Sequence, residues 1–208
     1  MDRRFDKLLV LDLDETLIYA TMFSLPRPPD FRVGLSNVWR RPGVGRFLRT
    51  CLEWFRVGVW TSATAPYADE VIGHLVGDPR QLAFVFTRDH CFRRQAESSA
   101  MRRDEGGAIA RTEPASFVAR GMGPGEIRVK DLGLLLECGH AAETIIVVDD
   151  SPESWVGHGE NVVAVSQYKG EPDDRELDLL LPFLESLGEA ENVRVVAKTG
   201  WRKQSHPS

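Results

Sequence analysis

The chain has 208 residues, 42% of them hydrophobic, and this length and composition predict one substantial core and a single domain. The formal net charge of −5 argues against a broad nucleic-acid-binding surface, so we do not expect nucleic acid as the main partner. Cys51, Cys91 and Cys138 are widely separated and indicate neither a disulfide framework nor a zinc site. Neither a signal peptide nor a membrane-spanning run is expected, and we predict a cytoplasmic protein without membrane attachment.

The first predicted element is a buried strand over residues 8–11, which are too apolar for an exposed edge and too few to cross a membrane. Asp12 and Asp14 follow at its carboxyl end, the end that faces the ligand crevice in open α/β sheets. Both side chains point the same way because side chains alternate along an extended chain. Two carboxylates this close repel each other unless a divalent cation lies between them or one stays protonated. Both the metal-bound pair and the singly protonated pair are suited to phosphoryl transfer. The alternative is that the two aspartates belong to an acidic turn that binds no metal ion and has no catalytic role.

Strands and helices alternate along the rest of the chain. Residues 17–37 are expected to form a loop or a short hairpin over the crevice, because their prolines disfavour a helix. The remaining predicted elements are helices at 44–54, 66–76 and 173–187, strands at 55–60, 83–86, 144–148 and 162–165, a short helix ending near 138, and a short terminal element at 193–197. This alternation predicts an α/β fold with a central, doubly wound parallel sheet.

One segment interrupts the alternation. Residues 93–127 are rich in Arg, Glu, Ser and Gly, and they predict an inserted excursion, hairpin-like with a mobile tip. Residues 201–208 are predicted to form a disordered tail. The single domain is therefore expected to span residues 1–200.

Polar residues recur at four strand ends or adjacent turns: Asp12 with Asp14, Thr61 with Ser62, Lys130, and Asp149 with Asp150. Taken singly, Thr61 could cap a helix, Lys130 could be solvated, and the later aspartate pair could shape an Asx turn. Taken together, they supply a nucleophile, a cation, hydrogen-bond donors and metal-binding carboxylates. Phosphoryl transfer requires this set of groups.

Six ordered motifs carry a family resemblance: DLDETL, RRPGVGRFL, VWTSATAPYADEV, TRDHC, VKDL and IIVVDDSPESW. They resemble the haloacid dehalogenase (HAD) superfamily, and their wording is similar to the small C-terminal-domain phosphatase branch (FCP/SCP-like, NLI-interacting factor-like), which acts on phosphoserine in proteins. The likeness runs from about residue 8 to residue 187, apart from the excursion. It implies a HAD-like Rossmannoid three-layer sandwich, with small insertions over the active site and no large cap domain.

The resemblance also implies a role for each motif residue. Asp12 would be the nucleophile, and Asp14 would be the general acid and base. Thr61, with Ser62 beside it, would donate hydrogen bonds to phosphate. Lys130 would bind phosphate and hold Asp12 in place.

A magnesium site is implied at the same place. Mg²⁺ would be bound by Asp12, the backbone carbonyl of Asp14 and Asp150, with Asp149 supporting them from behind. Oxygen ligands of this kind are the ones that Mg²⁺ prefers. Asp150 stands where the branch typically has Asn, so we expect tighter metal binding and altered turnover.

Two further positions match substrate-binding residues of the branch. Arg88 stands where the family has a substrate-facing Arg, and Tyr67 stands where it has a Tyr near the pocket mouth. A surface arginine and a core tyrosine are the corresponding structural alternatives. Substrate selection is expected to differ from that of the branch, because the segment after the first motif is shorter and the 93–127 excursion replaces a short linker.

The leading functional hypothesis is a Mg²⁺-dependent phosphomonoesterase that works through a phospho-Asp12 intermediate. An open site favours a phosphorylated protein or peptide as substrate, with a small phosphorylated metabolite as the second class and a nucleic-acid end as the third. A non-catalytic phosphoprotein-binding module on the same fold is the alternative of another class. A binding module would not need to bring five polar groups together at one buried site, because burying polar groups costs free energy.

Overall fold

The computed structural model describes residues 3–95 and 126–204. In these ranges the strands are β1 (Leu8–Leu11), β2 (Ile18–Thr21), β3 (Phe31–Val33), β4 (Ser36–Arg40), β5 (Arg56–Trp60), β6 (Val85–Phe86), β7 (Phe92–Gln95), β8 (Glu126–Asp131), β9 (Ile145–Asp149), β10 (Trp155–Val156) and β11 (Val162–Ala164). The helices are α1 (Val44–Trp54), α2 (Ala65–Val76), α3 (Gly133–Glu137), α4 (Glu176–Glu189) and α5 (Trp201–Gln204). None of them combines the length and apolar character that a bilayer crossing requires.

A five-stranded parallel sheet in the order β11-β9-β1-β5-β6 forms the centre of the fold. Side chains of β1 alternate between the two faces: Leu9 and Leu11 pack in a core with α1, α2 and α4, and Leu8 and Val10 pack in a second core with α3. All four are at most 2% exposed, which explains the unbroken apolar run of this strand. The sheet therefore lies between two helical layers, and the predicted α/β sandwich is confirmed.

The register of this sheet brings the motif residues to one edge. Leu11 of β1 is paired with Val59 of β5 and with Val148 of β9. Because all three strands run the same way, the residues that follow them emerge side by side at the carboxyl edge. These are the segments that begin at Asp12, Thr61 and Asp149.

Residues 18–40 form an antiparallel sheet in the order β2-β4-β3: β3 and β4 form the expected short hairpin, and β2 adds a third strand that was not expected. Alternate residues of β2 are buried, and the prolines lie in the connection between β2 and β3, where a missing N–H costs no ladder bond. A tight turn at Gly34, whose φ is 55°, joins β3 to β4. The strand β2 escaped prediction because it is short and the prolines separate it from β3 and β4.

Helix α4 begins at Glu176, three residues after the predicted start at 173. The carboxylate of Asp174 accepts a hydrogen bond from the Glu176 N–H at 3.0 Å, and it also accepts from Arg41. The side chain of Asp174 therefore ends the preceding turn and satisfies a free N–H at the start of the helix.

The base of the predicted excursion is a pair of antiparallel strands, because β7 and β8 pair from Phe92↔Val129 outward. The predicted mobile tip lies outside the described residues. The predicted disordered tail was wrong for residues 201–204, which form α5, while residues 205–208 also lie outside the described ranges. Trp201 is 1% exposed, and its indole Nε1 donates to the Ala164 carbonyl at 2.9 Å. The expectation of a single domain over residues 1–200 stays a prediction.

Candidate active site

A cavity of about 110 Å³ lies at the carboxyl edge of the central sheet. Its lining includes the predicted catalytic, phosphate-binding and metal-binding residues, together with three others, and consists of Asp12, Asp14, Glu15, Thr61, Ser62, Lys130, Asp149, Asp150, Ser151 and Ser154. A larger cavity, about 370 Å³ beside the start of α1, contains none of the predicted site residues. We therefore take the smaller cavity as the candidate active site.

Lys130 lies on β8 and connects two of the carboxylates. Its Nζ donates to Oδ1 of Asp12 and to Oδ2 of Asp149, in both cases at 2.7 Å. The side chain is 2% exposed, and burial by itself would lower the pKa of Lys130. The charges and hydrogen bonds of Asp12 and Asp149 outweigh burial and raise that pKa. Lys130 is therefore a buried, permanently charged ammonium group between these two carboxylates.

Both carboxylate oxygens of Asp149 are held by protein donors. Oδ2 accepts from Lys130 and, at 2.8 Å, from the indole Nε1 of Trp155, and Oδ1 accepts from the Ser151 N–H at 2.8 Å. These bonds orient Asp149 toward Lys130. They fit the predicted supporting role of Asp149 better than direct contact with a metal ion.

Asp150 is held by a separate group of hydrogen bonds. The Thr16 hydroxyl donates to Oδ1 at 3.1 Å and accepts from the Asp150 N–H at 3.1 Å. Oδ2 accepts from the Ser151 hydroxyl at 3.0 Å and from Gln167 Nε2 at 3.1 Å. Burial and the charge of Asp149 nevertheless raise the pKa of Asp150. Its carboxylate is thus fixed in position at the side of the cavity.

The carboxylates of Asp12, Asp149 and Asp150 form the acidic cluster of the site, with one oxygen of each lying within 4.8 Å of the others. Burial, together with the charges of Asp149 and Asp150, raises the pKa of Asp12 well above its usual value, although Lys130 acts in the opposite direction. Among the described residues, three carboxylates face one ammonium group here, so negative charge is in excess in the cluster. A small divalent cation that prefers oxygen ligands, such as Mg²⁺, fits this donor set.

Asp14 differs from the other aspartates because its partner is a tyrosine. The Tyr67 hydroxyl donates to Oδ1 of Asp14 at 2.7 Å. Burial raises the pKa of Asp14 to about 6, even though the hydrogen bond from Tyr67 lowers it. Oδ2 of Asp14 is buried and has no hydrogen-bond partner among the described residues. One oxygen is therefore fixed, and the other is left for a substrate or water.

Thr61 and Ser62 follow β5 at the next strand end. The Thr61 N–H donates to the Phe86 carbonyl, and its Oγ1 accepts from the Ala63 N–H at 3.1 Å, which orients the hydroxyl at the edge of the cavity. Arg88 does not line the cavity, but its Nε donates to the Ser62 carbonyl at 3.2 Å. Tyr67 is likewise absent from the lining and reaches it through Asp14. Both predicted substrate-binding residues therefore contact residues of the site.

Sequence reasoning assigned no role in the site to four residues that hold the aspartates: Thr16, Ser151, Trp155 and Gln167. Thr16 belongs to the DLDETL motif, and Ser151 and Trp155 belong to the IIVVDDSPESW motif, so their position in a motif was an available signal. Gln167 belongs to no motif, and its contact with Asp150 follows only from the path of the chain after β11. Glu15, another lining residue, has a φ of 62°, a left-handed value that non-glycine residues seldom adopt. Its carbonyl accepts from the Tyr168 N–H at 2.7 Å, and this bond stabilises the turn.

Comparisons with known proteins point to one family. A family model described as NLI interacting factor-like phosphatase matches residues 7–104 and 110–194. A probable C-terminal domain small phosphatase of Dictyostelium discoideum is 32% identical over 198 residues, covering 91% of this chain and 53% of that protein. The nuclear envelope morphology protein 1 of Schizosaccharomyces pombe is 29% identical over 197 residues, covering 90% of this chain and 34% of that protein.

A solved structure of Fcp1, described as an essential RNA polymerase II CTD phosphatase, shares 20% identity and a TM-score of 0.48, covering 96% of this chain and 52% of that one. The chain spans about half the length of the Dictyostelium relative and less of the fission yeast one. The predicted resemblance is confirmed, because the family model extends over most of the sequence. On this evidence, the chain belongs to the NLI interacting factor-like phosphatase family.

Proposed function

We propose that the chain is a Mg²⁺-dependent phosphomonoesterase that removes phosphate from serine or threonine in proteins through a phospho-Asp12 intermediate. The observation that carries this proposal is the contact of Lys130 Nζ with both Asp12 and Asp149 in the cavity that Asp14 and Asp150 share. A purely structural role would not require a buried cation and four carboxylates around an open cavity, because burying charged groups is costly.

In the first step, the carboxylate of Asp12 attacks phosphorus and the bond from phosphorus to the ester oxygen breaks. Lys130 holds Asp12 at 2.7 Å and favours its ionised form. Thr61 and Ser62 supply hydroxyl groups to the phosphate oxygens. These fixed donors stabilise the charge that develops on the transferred group without reorganising during the reaction.

Asp14 moves the protons. It protonates the departing alkoxide in the first step, and it then takes a proton from the water that attacks phospho-Asp12. A pKa of about 6 is suited to both roles near neutral pH. Tyr67 fixes Oδ1 of Asp14, so Oδ2 is the oxygen that exchanges protons.

Asp12, Asp150 and the backbone carbonyl of Asp14 would hold Mg²⁺, and Asp149 would hold Lys130 beside them. When bound, the ion supplies positive charge to the phosphate oxygens. The excess of negative charge in the acidic cluster supports this assignment.

A phosphoprotein is the preferred substrate class because the described residues between the first two motifs form only the small sheet of β2, β3 and β4, and no residue of that sheet lines the cavity. Arg88 and Tyr67 are proposed to bind the substrate around the phosphoserine. The name of the Dictyostelium relative agrees with a phosphoprotein substrate, and a phosphorylated metabolite stays the second candidate. A cytoplasmic location stays a prediction, because another relative is named for the nuclear envelope.

The experiment is hydrolysis of p-nitrophenyl phosphate by the full chain, with Mg²⁺ and with EDTA. We expect Mg²⁺-dependent turnover that falls by about 10³-fold or more in Asp12→Asn, because the nucleophile is lost. Asp173→Asn changes an exposed aspartate outside the cavity and serves as the matched control. Undiminished activity of a folded Asp12→Asn variant would refute the nucleophile, and full activity in EDTA would refute the metal requirement. Inactivity of the folded native chain would favour the binding module.

A further inference from the structure

Two arginines lie next to the candidate active site on the hairpin formed by β7 and β8. Arg93 of β7 and Arg128 of β8 are directly opposite each other in the strand register. Arg128 is two residues before Lys130, so both side chains project from the same face of β8. The cavity that holds Lys130 and the pair of arginines therefore share one face of the hairpin.

The arginine pair is unfavourable as it stands. Like charges directly opposite each other destabilise a strand pair. Arg128 is 8% exposed, and its Nε is buried without a hydrogen-bond partner among the described residues. Burial, followed by the charges of Arg88 and Arg93, lowers the pKa of Arg128, and Cys91 and Asp89 make smaller contributions in the opposite direction. Buried donors are normally paired, so this guanidinium group points to an anionic ligand.

Cys91, the residue before β7, connects the hairpin to the candidate active site. Its thiol lies 3.8 Å from the Thr61 carbonyl, at the end of β5. Burial raises the pKa of Cys91, and the positive charges of Lys130 and Arg128 both act against that increase. The start of β7 therefore lies beside Thr61.

We propose that Arg93 and Arg128 form an anion subsite that binds an acidic side chain two residues away from the phosphoserine of a peptide substrate. The inference rests on the proposed function, because Lys130 marks where the phosphate binds. Positions two apart on β8 are separated by roughly 6.8 Å. An extended peptide has the same repeat, and its alternate side chains also project to one side. A peptide whose phosphoserine lies at Lys130 can therefore place its second neighbour at Arg128.

A peptide fits this subsite better than a nucleic acid does. The net charge of the chain is −5, and Glu15 and Asp150 line the adjoining cavity. A nucleic-acid backbone would need a broad basic surface, whereas among the described residues these two arginines and Arg88 form a local group. A carboxylate or a second phosphate on the peptide supplies the missing acceptor.

The test compares three phosphoserine peptides of otherwise identical sequence. One has Glu two residues before the phosphoserine, one has Glu two residues after it, and one has Gln at both positions. We expect the native chain to hydrolyse one Glu peptide with a kcat/KM about tenfold above that of the Gln peptide, the scale of one charge-assisted hydrogen bond. Arg128→Gln should remove this preference. Arg93→Gln should reduce the preference. Because Arg93 is exposed, this variant should fold normally and so tests the subsite even if Arg128→Gln fails to fold. Arg49→Gln removes an exposed charge on α1 and should retain the preference.

Equal kcat/KM values for all three peptides would overturn the subsite and leave the proposed phosphatase intact. Hydrolysis of none of them, nor of p-nitrophenyl phosphate, would instead overturn the proposed function. A preference that persists unchanged in both Arg128→Gln and Arg93→Gln would also refute the subsite. A 5′-phosphorylated oligonucleotide is measured alongside. If the native chain hydrolyses the oligonucleotide faster than the peptides, and Arg128→Gln does not, the two arginines bind nucleic acid and the peptide proposal is wrong.

Discussion

The ion pair between Arg41 and Asp174 is predicted to stabilise the fold and to hold Thr16 next to the site. Arg41 is fully buried, and its Nε and Nη2 donate to the two carboxylate oxygens of Asp174, each at 2.8 Å. Its Nη1 donates to the Thr16 carbonyl at 3.0 Å, and the Thr16 hydroxyl contacts Asp150. Asp174→Asn keeps the size of the side chain but removes its charge and one of its acceptors.

Loss of one partner from a buried ion pair costs about 3–5 kcal/mol, because the other charge is left without compensation. The side chain of Asp174 is 15% exposed, so water can partly replace it. We therefore expect the free energy of unfolding to fall by about 3 kcal/mol at pH 7. This loss is a large fraction of the roughly 5–15 kcal/mol that stabilises a typical domain.

The effect should depend on pH in one direction. Burial would raise the pKa of Asp174, but the hydrogen bonds from Arg41 and the Glu176 N–H lower it below its usual value. A carboxylate with a lowered pKa in the folded state stabilises the protein above the unfolded pKa, and the contribution is lost as pH falls through the folded pKa. The stability difference between the native chain and Asp174→Asn should thus be equal at pH 7 and pH 5 and smaller below about pH 4.

Urea unfolding followed by circular dichroism at pH 7, 5 and 3 measures this difference. Asp178→Asn is the matched control, because its ion pair with Arg46 is exposed, with 32% and 60% side-chain exposure. We expect this control to cost less than about 1 kcal/mol. Equal losses in the two variants at pH 7, or a difference for Asp174→Asn that does not shrink at pH 3, would show that the buried ion pair with Arg41 does not stabilise the fold as expected.

Two further predictions concern residues that position the aspartates. Tyr67→Phe removes the hydrogen bond to Asp14 without altering the size of the ring, and it should lower kcat for p-nitrophenyl phosphate about tenfold in steady-state assays. Thr16→Val removes the hydroxyl that contacts Asp150, and it should raise the half-saturating Mg²⁺ concentration about tenfold in a titration of activity. Native kcat in the first variant, or native Mg²⁺ dependence in the second, would contradict the positioning roles.

The convergence of the motif residues could be predicted from the sequence because each of them follows a strand. The apolar run before Asp12 indicates a buried parallel strand, and such strands share a carboxyl edge with their neighbours. Thr61 and Asp150 were therefore expected beside Asp12, and all three line one cavity. The chemical roles of these residues stay proposals.

Other features were not readable because they depend on contacts between distant segments. The hydrogen bond from Trp201 to the Ala164 carbonyl is one of them, because no local pattern indicates that contact. The opposition of Arg93 and Arg128 depends on the register of two strands that 30 residues separate. The bond from Trp155 to Asp149 likewise requires β10 to pair with β8. Local sequence patterns predict elements, whereas these contacts arise from tertiary packing.

Capture of the covalent intermediate tests directly whether Asp12 is the nucleophile. The full chain is mixed with a ³²P-labelled phosphoserine peptide and Mg²⁺, quenched in acid within a single turnover, and digested for mass spectrometry. We expect radiolabel on the peptide that contains Asp12, with none in Asp12→Asn and slower labelling in Asp14→Asn, whose side chain can neither protonate the departing serine nor activate water. Complete hydrolysis of the substrate by the native chain with no label at Asp12, or with label on another residue, would contradict this role of Asp12.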